Sequence, residues 1–170
     1  LFNEVNFEDV VFENVVFEQG FFINCDFERV AFHNVTIHGS VLTHVVFLEV
    51  LLQNSVLEEV RLEHTAVDRM VVRSTVWEST VSLQSSFSGI KFDHAQLTNG
   101  SFQKSQLDVV LFQQTRVTNF TLLNTPVTNV ADGEELGYTY VVLRGATIRA
   151  EGDLKQRLPV GASIYMDVTV

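Results

Sequence analysis

The sequence predicts an all-β fold, a four-sided parallel β-helix with an irregular C-terminal β cap, and three regularities predict it. A large apolar residue stands at every fifth position from Phe2, a small residue stands two places before each of these, and two mostly polar residues follow each. A period of five matches neither a helix, which repeats every 3.6 residues, nor a strand, which repeats every 2. It matches a chain in which five residues make one side of a square coil. Two side chains point inward, three point outward, and the chain turns a corner. Four sides use twenty residues and close one coil. Successive coils stack at the β spacing of about 4.8 Å, so each coil buries its apolar set only against its neighbours.

The large row reads Phe2, Phe7, Phe12, Phe17, Phe22, Phe27, Phe32, Ile37, Leu42, Phe47, Leu52, Leu57, Leu62, Val67, Val72 and Trp77. Ser82 interrupts it, and it resumes from Phe87 to Val127. Of 14 phenylalanines, only Phe21 and Phe120 lie off the row. The small row carries Val5, Val10, Val15, Gly20, Cys25, Val30 and Val35, then a growing share of Ser and Thr, with Met70, Ile90 and Phe120 as its larger members. Trp77 is therefore expected in the core and Cys25 at a buried, inert position. Ser82 predicts a local void, a bulge or a buried hydroxyl bonded to backbone.

Units such as Val5-Asn6-Phe7-Glu8-Asp9 and Cys25-Asp26-Phe27-Glu28-Arg29 resemble the pentapeptide-repeat family. Its unit is a small residue, Asp or Asn, Leu or Phe, and two mostly polar residues. The resemblance covers residues 1–130. It implies a right-handed quadrilateral β-helix, a rod on the order of 30 Å long, and an absence of catalysis. Residues 131–170 read as a C-terminal cap or the start of a further β element. There, 131–137 is a turn-rich loop, Tyr138 to Leu143 a strand, Leu143 and Ile148 a resumption of the coil in a shifted phase, Asp153 to Arg157 a helical turn, and Ser163 to Val170 another strand candidate. A cap of this kind covers backbone that an open coil leaves unpaired.

Residues twenty apart stack, which makes the outer surface readable. The position before the large residue is often apolar here, where the family favours Asp or Asn. Val11, Val16, Phe21, Val41, Leu51, Val56, Val71 and Val76 are the candidate interface, read as an apolar strip over the first four coils. Monomeric proteins rarely expose such patches without a partner. The plainer reading is that β-branched residues suit a pleated surface. The partner expected is another protein, docking on the strip or adding a strand at an open N-terminal edge, or a second copy in a homodimer. Acids crowd the first coils ahead of Arg29. Stacking places Glu13 under His33, Glu18 under His38, and Glu58 under Glu78, the last a like-charge pair.

The formal net charge of -10 argues against direct nucleic-acid binding through phosphates. No apolar run is long enough to span a membrane. One cysteine leaves no internal disulfide. The chain starts at Leu1 with no signal sequence, as expected of a segment of a longer protein. No phosphate loop, zinc cluster or nucleophile motif is present, so no cofactor is expected. The one metal-like constellation, His44 over His64 flanked by Asn24 and Gln84, lacks a third strong ligand. The sequons Asn34-Val35-Thr36, Asn99-Gly100-Ser101 and Asn119-Phe120-Thr121 offer Asn34, Asn99 and Asn119 as glycan acceptors in a secretory pathway.

Three functional classes follow. The first is an extracellular or luminal recognition module. The Phe-rich large row, the Val/Thr/Cys small row and Phe22-Ile23-Asn24-Cys25-Asp26-Phe27 are similar in style to the luminal domain of the synaptic-vesicle glycoprotein family. The second is a cytoplasmic acidic DNA mimic that regulates a topoisomerase such as gyrase, resembling the quinolone-resistance pentapeptide proteins. This sequence departs from that group in lacking an Ala-rich small row followed by Asp or Asn. The third is a structural spacer inside a larger protein. An enzyme is the class the sequence supports least.

Overall fold

The structure is a computed structural model that describes residues 1–113, 115–123, 125, 127–132, 137–144, 148–149 and 163–167. Side chains are described up to 109, at 115–118, at 120–123 and at 125. The described chain is all strand and every strand pair is parallel. Strands of three residues repeat every five, and each pairs with the strand twenty residues on: Phe2 with Phe22, Phe7 with Phe27, Phe12 with Phe32, and Phe17 with Ile37. The chain is therefore a four-sided parallel β-helix of twenty-residue coils.

Four sides can be followed along the rod. Side one stacks Phe2–Asn3, Phe21–Ile23, Val41–Thr43, Arg61–Glu63, Val81–Leu83 and Ser101–Gln103. Side two starts from Asn6–Glu8 and Asp26–Glu28, and side three from Val11–Glu13 and Ala31–His33. Both continue through the eight-residue strands Val46–Gln53, Ala66–Arg73, Ser86–Asp93 and Gln106–Gln113, which run around their shared corner. Side four stacks Val16–Glu18, Thr36–His38, Val56–Glu58, Val76–Glu78, Gln96–Thr98 and the start of Arg116–Leu123.

The corners explain the polar fifth residue. Glu4, Asp9, Asn14, Gln19, Asn24 and their successors take φ near +50 to +56°, and Gly39 and Gly89 take the same region. Asn, Asp and His enter it more readily than other non-glycine residues, and Asn14, Asn24, Asn34, His44, Asn54 and His64 all hold corners. Backbone bonds between coils fix the geometry: Asn14 N–H donates to the His33 carbonyl at 3.0 Å, and Ala31 N–H donates to the Val10 carbonyl at 3.0 Å. Val109 also holds a corner, at φ 51°, with half its surface exposed. A β-branched residue in the left-handed region is strained by about 1–2 kcal/mol. Val109→Asn is expected to raise stability by about 1 kcal/mol in urea denaturation, and a fall in stability contradicts the corner assignment.

The interior follows the two rows. Phe2 stacks on Phe22 at 5.0 Å, Phe7 on Phe27 at 4.8 Å, Phe12 on Phe32 at 5.1 Å and Phe27 on Phe47 at 5.0 Å, with the rings nearly parallel. Where Phe gives way to Leu62 and Val67 in the large row, beside Met70 of the small row, an apolar cavity of about 30 Å³ remains. The small row satisfies its own hydroxyls. Ser55 Oγ accepts from Val35 N–H at 3.2 Å and donates to the Gln53 carbonyl at 3.0 Å. Thr75, Ser85, Ser105 and Thr125 each donate likewise to the carbonyl two residues back. Cys25 is fully buried in the same row, its Sγ 3.4 Å from the Ile23 carbonyl.

Ser82 departs from expectation. It pairs in register with Leu62 and Phe102, so there is no bulge. It is buried, and its hydroxyl has no hydrogen-bond partner. Small-row hydroxyls sit beside a corner, where a carbonyl is within reach. A large-row side chain points at the axis, where the neighbouring groups are apolar. Trp77, five residues earlier on the preceding side, has its ring centroid 6.5 Å from that of Phe102, which lies above Ser82.

The twenty-residue register holds through Leu111–Ala131 and Phe112–Asp132. From Gly137 the offset becomes twenty-one: Leu122 pairs with Leu143 and Val127 with Ile148. Strand Gly137–Arg144 matches the expected strand and resumes the coil in a shifted phase, with irregularities around Thr118. Strand Ser163–Asp167 pairs onto it. Residues 133–136 of the expected loop and the helical turn expected at Asp153 to Arg157 lie outside the described residues.

Candidate functional site

The filled interior directs attention to the outside. Val11, Val16 and Phe21 are exposed by 61%, 67% and 50%, while Val41, Leu51, Val56, Val71 and Val76 are half-buried. The register divides them among three sides. Val11, Ala31, Leu51 and Val71 form a column on side three. Val16, Thr36, Val56 and Val76 form one on side four. Between them run Glu13, His33, Gln53 and Arg73 and the corner Asn14, Asn34, Asn54 and Ser74. The expected strip is therefore two narrow stripes separated by polar residues, because each side carries two outward positions and only the first is apolar here.

Side one is different, because both of its outward positions are apolar on two rungs. Phe21 is accompanied by Ile23 and Val81 by Leu83, while Val41 stands beside Thr43. Reading only the position before the large residue misses Ile23 and Leu83. The signal was present as Phe21-Phe22-Ile23 and as the inverted Val81-Ser82-Leu83, where the apolar side chains face out and the serine faces in.

Charge is tied down locally. Arg29 bonds Asp9 through Nε at 2.6 Å and Nη2 at 3.1 Å, and also reaches Glu8 and Glu28. The Arg29 hydrogen bond holds the Asp9 carboxyl below its usual range, and Asp9 in turn raises Arg29. The N-terminal acids expected to form a negative end are partly neutralised in this way. On side three, Asp93 is buried among Arg73 at 3.2 Å, Lys91 at 3.8 Å and His94 at 2.6 Å. Burial pushes its carboxyl up, but the bonds from His94 and Arg73 and the Lys91 charge bring it below its ordinary value of 3.8. A depressed carboxyl stabilises the fold above that value and loses the effect as pH falls through its folded pKa. The urea midpoint of Asp93→Asn is expected to fall less steeply below about pH 4 than that of the parent. Equal acid slopes contradict this.

His44 stacks on His64, with ring centroids 4.9 Å apart and planes 14° apart. Their in-plane lone pairs run side by side instead of converging on one ion, and among the described residues no group of three metal-ligating side chains occurs. His38 approaches Glu58 of the following coil at 3.4 Å, although Glu18 is its stacked neighbour on the other side. Glu58 and Glu78 are in register as expected. Asn34 and Asn99 are exposed at corners with φ 54°, and Asn34 donates to Asn14 Oδ1 at 3.2 Å. The side chain of Asn119 lies outside the described residues. A shallow polar groove lined by His64, Gln84, Lys104 and Gln106 follows one corner. No helix among the described residues is long and apolar enough to cross a membrane.

Comparisons bear on the repeat itself. Residues 2–46 match the family model of pentapeptide repeats, in 9 copies. Among solved structures the chain is similar to QnrB1, a plasmid-mediated fluoroquinolone resistance protein. Identity is 11%, coverage is 95% of this chain and 91% of that chain, and the TM-score is 0.45. It is also similar to the pentapeptide repeat protein Rfr23 from the cyanobacterium Cyanothece 51142, at 11% identity, 69% and 86% coverage and TM-score 0.27. HetL, a pentapeptide repeat protein involved in heterocyst differentiation regulation in Nostoc sp. strain PCC 7120, matches at 15% identity, 88% and 75% coverage and TM-score 0.24. Among curated proteins none matches the sequence. Residues 2–46 are thus pentapeptide repeats, and the twenty-residue register carries the same spacing on from them to Leu123.

Proposed function

We propose that the chain is a non-catalytic protein-recognition module of an extracellular or luminal protein, presenting its side-three and side-four stripes to a partner. The observation that carries this reading is the exposure of Val11 and Val16 at the head of apolar columns on a coil whose interior is filled. A surface with apolar stripes and no deep cleft suits a broad partner better than a small substrate. A photo-cross-linking residue at position 51 is expected to capture the partner. The pairs Val11→Lys with Val71→Lys, and Val16→Lys with Val76→Lys, point outward and should keep the coil while abolishing capture. A partner retained by both pairs contradicts the reading.

The extracellular or luminal setting draws support from Asn34 and Asn99, both exposed at corners. Secretion from a eukaryotic host is expected to give a product whose mass falls on endoglycosidase treatment, and Asn34→Gln with Asn99→Gln should remove most of that fall. An unglycosylated secreted product overturns the setting. The acidic DNA-mimic reading draws less support, since Arg29 and Arg69 hold Glu8, Asp9, Glu28, Glu49 and Asp68 in ion pairs along side two and its corner.

A further inference from the structure

We propose that side one is a self-association face, on which two copies of the chain pack as parallel rods about a two-fold axis running along the rods. This surface is distinct from the stripes on sides three and four.

The argument starts from the two outward columns of side one. One column reads Phe21, Val41, Arg61, Val81 and Ser101, and the other reads Ile23, Thr43, Glu63, Leu83 and Gln103. A two-fold axis parallel to the rod, lying in the contact plane, exchanges the columns at constant height. Each residue then faces the other member of its own rung in the second copy. Phe21 meets Ile23, Val41 meets Thr43, Val81 meets Leu83, and Arg61 meets Glu63 of the second copy. Two rungs thus place apolar on apolar, one sets cation on anion, and the Val41–Thr43 and Ser101–Gln103 rungs bring no charge together. Arg61 and Glu63 already pair within one chain, and Gln103 Nε2 donates to Ser101 Oγ at 3.0 Å in the same cross-rung sense. Two copies convert each such pair into an alternating set of four, closed by symmetry.

The flanking corners agree. The corner before side one carries Gln19, Gly39, Glu59 and Ser79, and the corner after it carries Asn24, His44, His64 and Gln84. The same axis sets Glu59 opposite His64 of the second copy and gives the bulky His44 the space above Gly39. No like charges oppose across these columns.

In the parallel arrangement only side one places apolar on apolar on two rungs. On side two that arrangement sets Asp26 against Glu28. On side three it sets Val11 against Glu13, and on side four it sets Val16, Val56 and Val76 against Glu18, Glu58 and Glu78. An axis across the rods on side one sets Arg61 on Arg61 and Glu63 on Glu63 when centred on that rung, and leaves Arg61 facing Val41 when centred half a rung away. Across side three, an axis midway between the Ala31 and Leu51 rungs matches Val11 with Val71 and Glu13 with Arg73, and the Val11→Lys with Val71→Lys pair below distinguishes that arrangement. Arg61 and Glu63 leave side one without net charge, so a second copy can approach it although the chain carries -10.

The contact is small. Five rungs at about 4.8 Å, on a side about 10 Å wide, bury well under the area of a standard interface. The dimer is therefore reversible, with dissociation in the micromolar range or weaker.

Sedimentation velocity from about 5 µM to about 1 mM tests it, since weak interfaces of this size populate within that range. The parent chain is expected to pass from monomer to dimer. Val41→Lys with Val81→Lys should leave a monomer with an unchanged circular dichroism spectrum. Arg61→Glu should weaken association at least about tenfold, and adding Glu63→Arg to it should restore association to within about threefold. Val11→Lys with Val71→Lys should change nothing, which separates this proposal from the recognition surface above. A parent that stays monomeric throughout overturns it. So does a dimer that survives Val41→Lys with Val81→Lys, or one that the charge swap does not rescue.

Discussion

Gly100→Ala is expected to lower stability by about 2–3 kcal/mol, a large effect for one methyl group. A Cβ at this position would lie 2.6 Å from the Phe120 ring and 2.6 Å from the Thr80 carbonyl oxygen. Phe120 is a large residue in the small row, stacked directly over Gly100, and it is buried there. The missing side chain of one coil therefore houses the ring of the next. The Thr80 oxygen has no room to retreat, because it accepts the Ser101 N–H at 3.0 Å and so joins two coils. Phe120→Ala should rescue Gly100→Ala only in part, since the carbonyl clash remains. Gly20 supplies the control. Its added Cβ would meet the Phe22 ring and Ser40 Oγ at 3.3 Å, which small shifts relieve, so Gly20→Ala should cost under about 1 kcal/mol. Urea denaturation of the three variants measures the contrast. Equal costs at Gly20 and Gly100 contradict the packing described.

Phe27→Ala is expected to cost about 3–5 kcal/mol. The ring is buried and lies between Phe7 at 4.8 Å and Phe47 at 5.0 Å, with Phe22 and Phe32 beside it at 5.9 and 5.7 Å. The corner-to-corner hydrogen bonds hold the coils at fixed spacing, so the cavity cannot collapse and most of the packing energy is lost. In a solenoid each coil contacts only its neighbours. The damage should therefore appear first as faster amide exchange in residues 1–50, with residues 80–110 protected as before. Uniform acceleration along the chain contradicts a stack of separately packed coils.

The interior was legible in the sequence because one row of phenylalanines and one row of small residues both repeat every five positions. Only stacked coils of twenty residues serve both rows. The corners were legible in part: Asn14, Asn24, Asn34 and Asn54 mark them, while Arg29, Glu49 and Val109 hold the same conformation without a residue type that favours it. The shifted phase of the tail could be read from Leu143 and Ile148. The one-residue insertion that produces it could not, since no repeat spans that segment. The outer surface was least legible. A period of five says which residues face out, and only the corners say which outward columns share a side. That is why Val11 and Val16 read as one strip when Asn14 lies between them, and why Ile23 and Leu83 were missed beside Phe21 and Val81. The Ser82 hydroxyl also required coordinates, since its lack of a partner depends on pointing at the axis instead of at a corner.

Spin-label distances along one outer column test the twenty-residue coil most directly. Glu18, His38, Glu58, Glu78, Thr98 and Thr118 stack in register on side four. With one label at position 18, second labels at 78, 98 and 118 should give backbone separations of about 14, 19 and 24 Å, a constant step of about 4.8 Å for every twenty residues. Separations that rise unevenly, or that reach the length of an extended sheet, would show that residues twenty apart do not stack and would contradict the account.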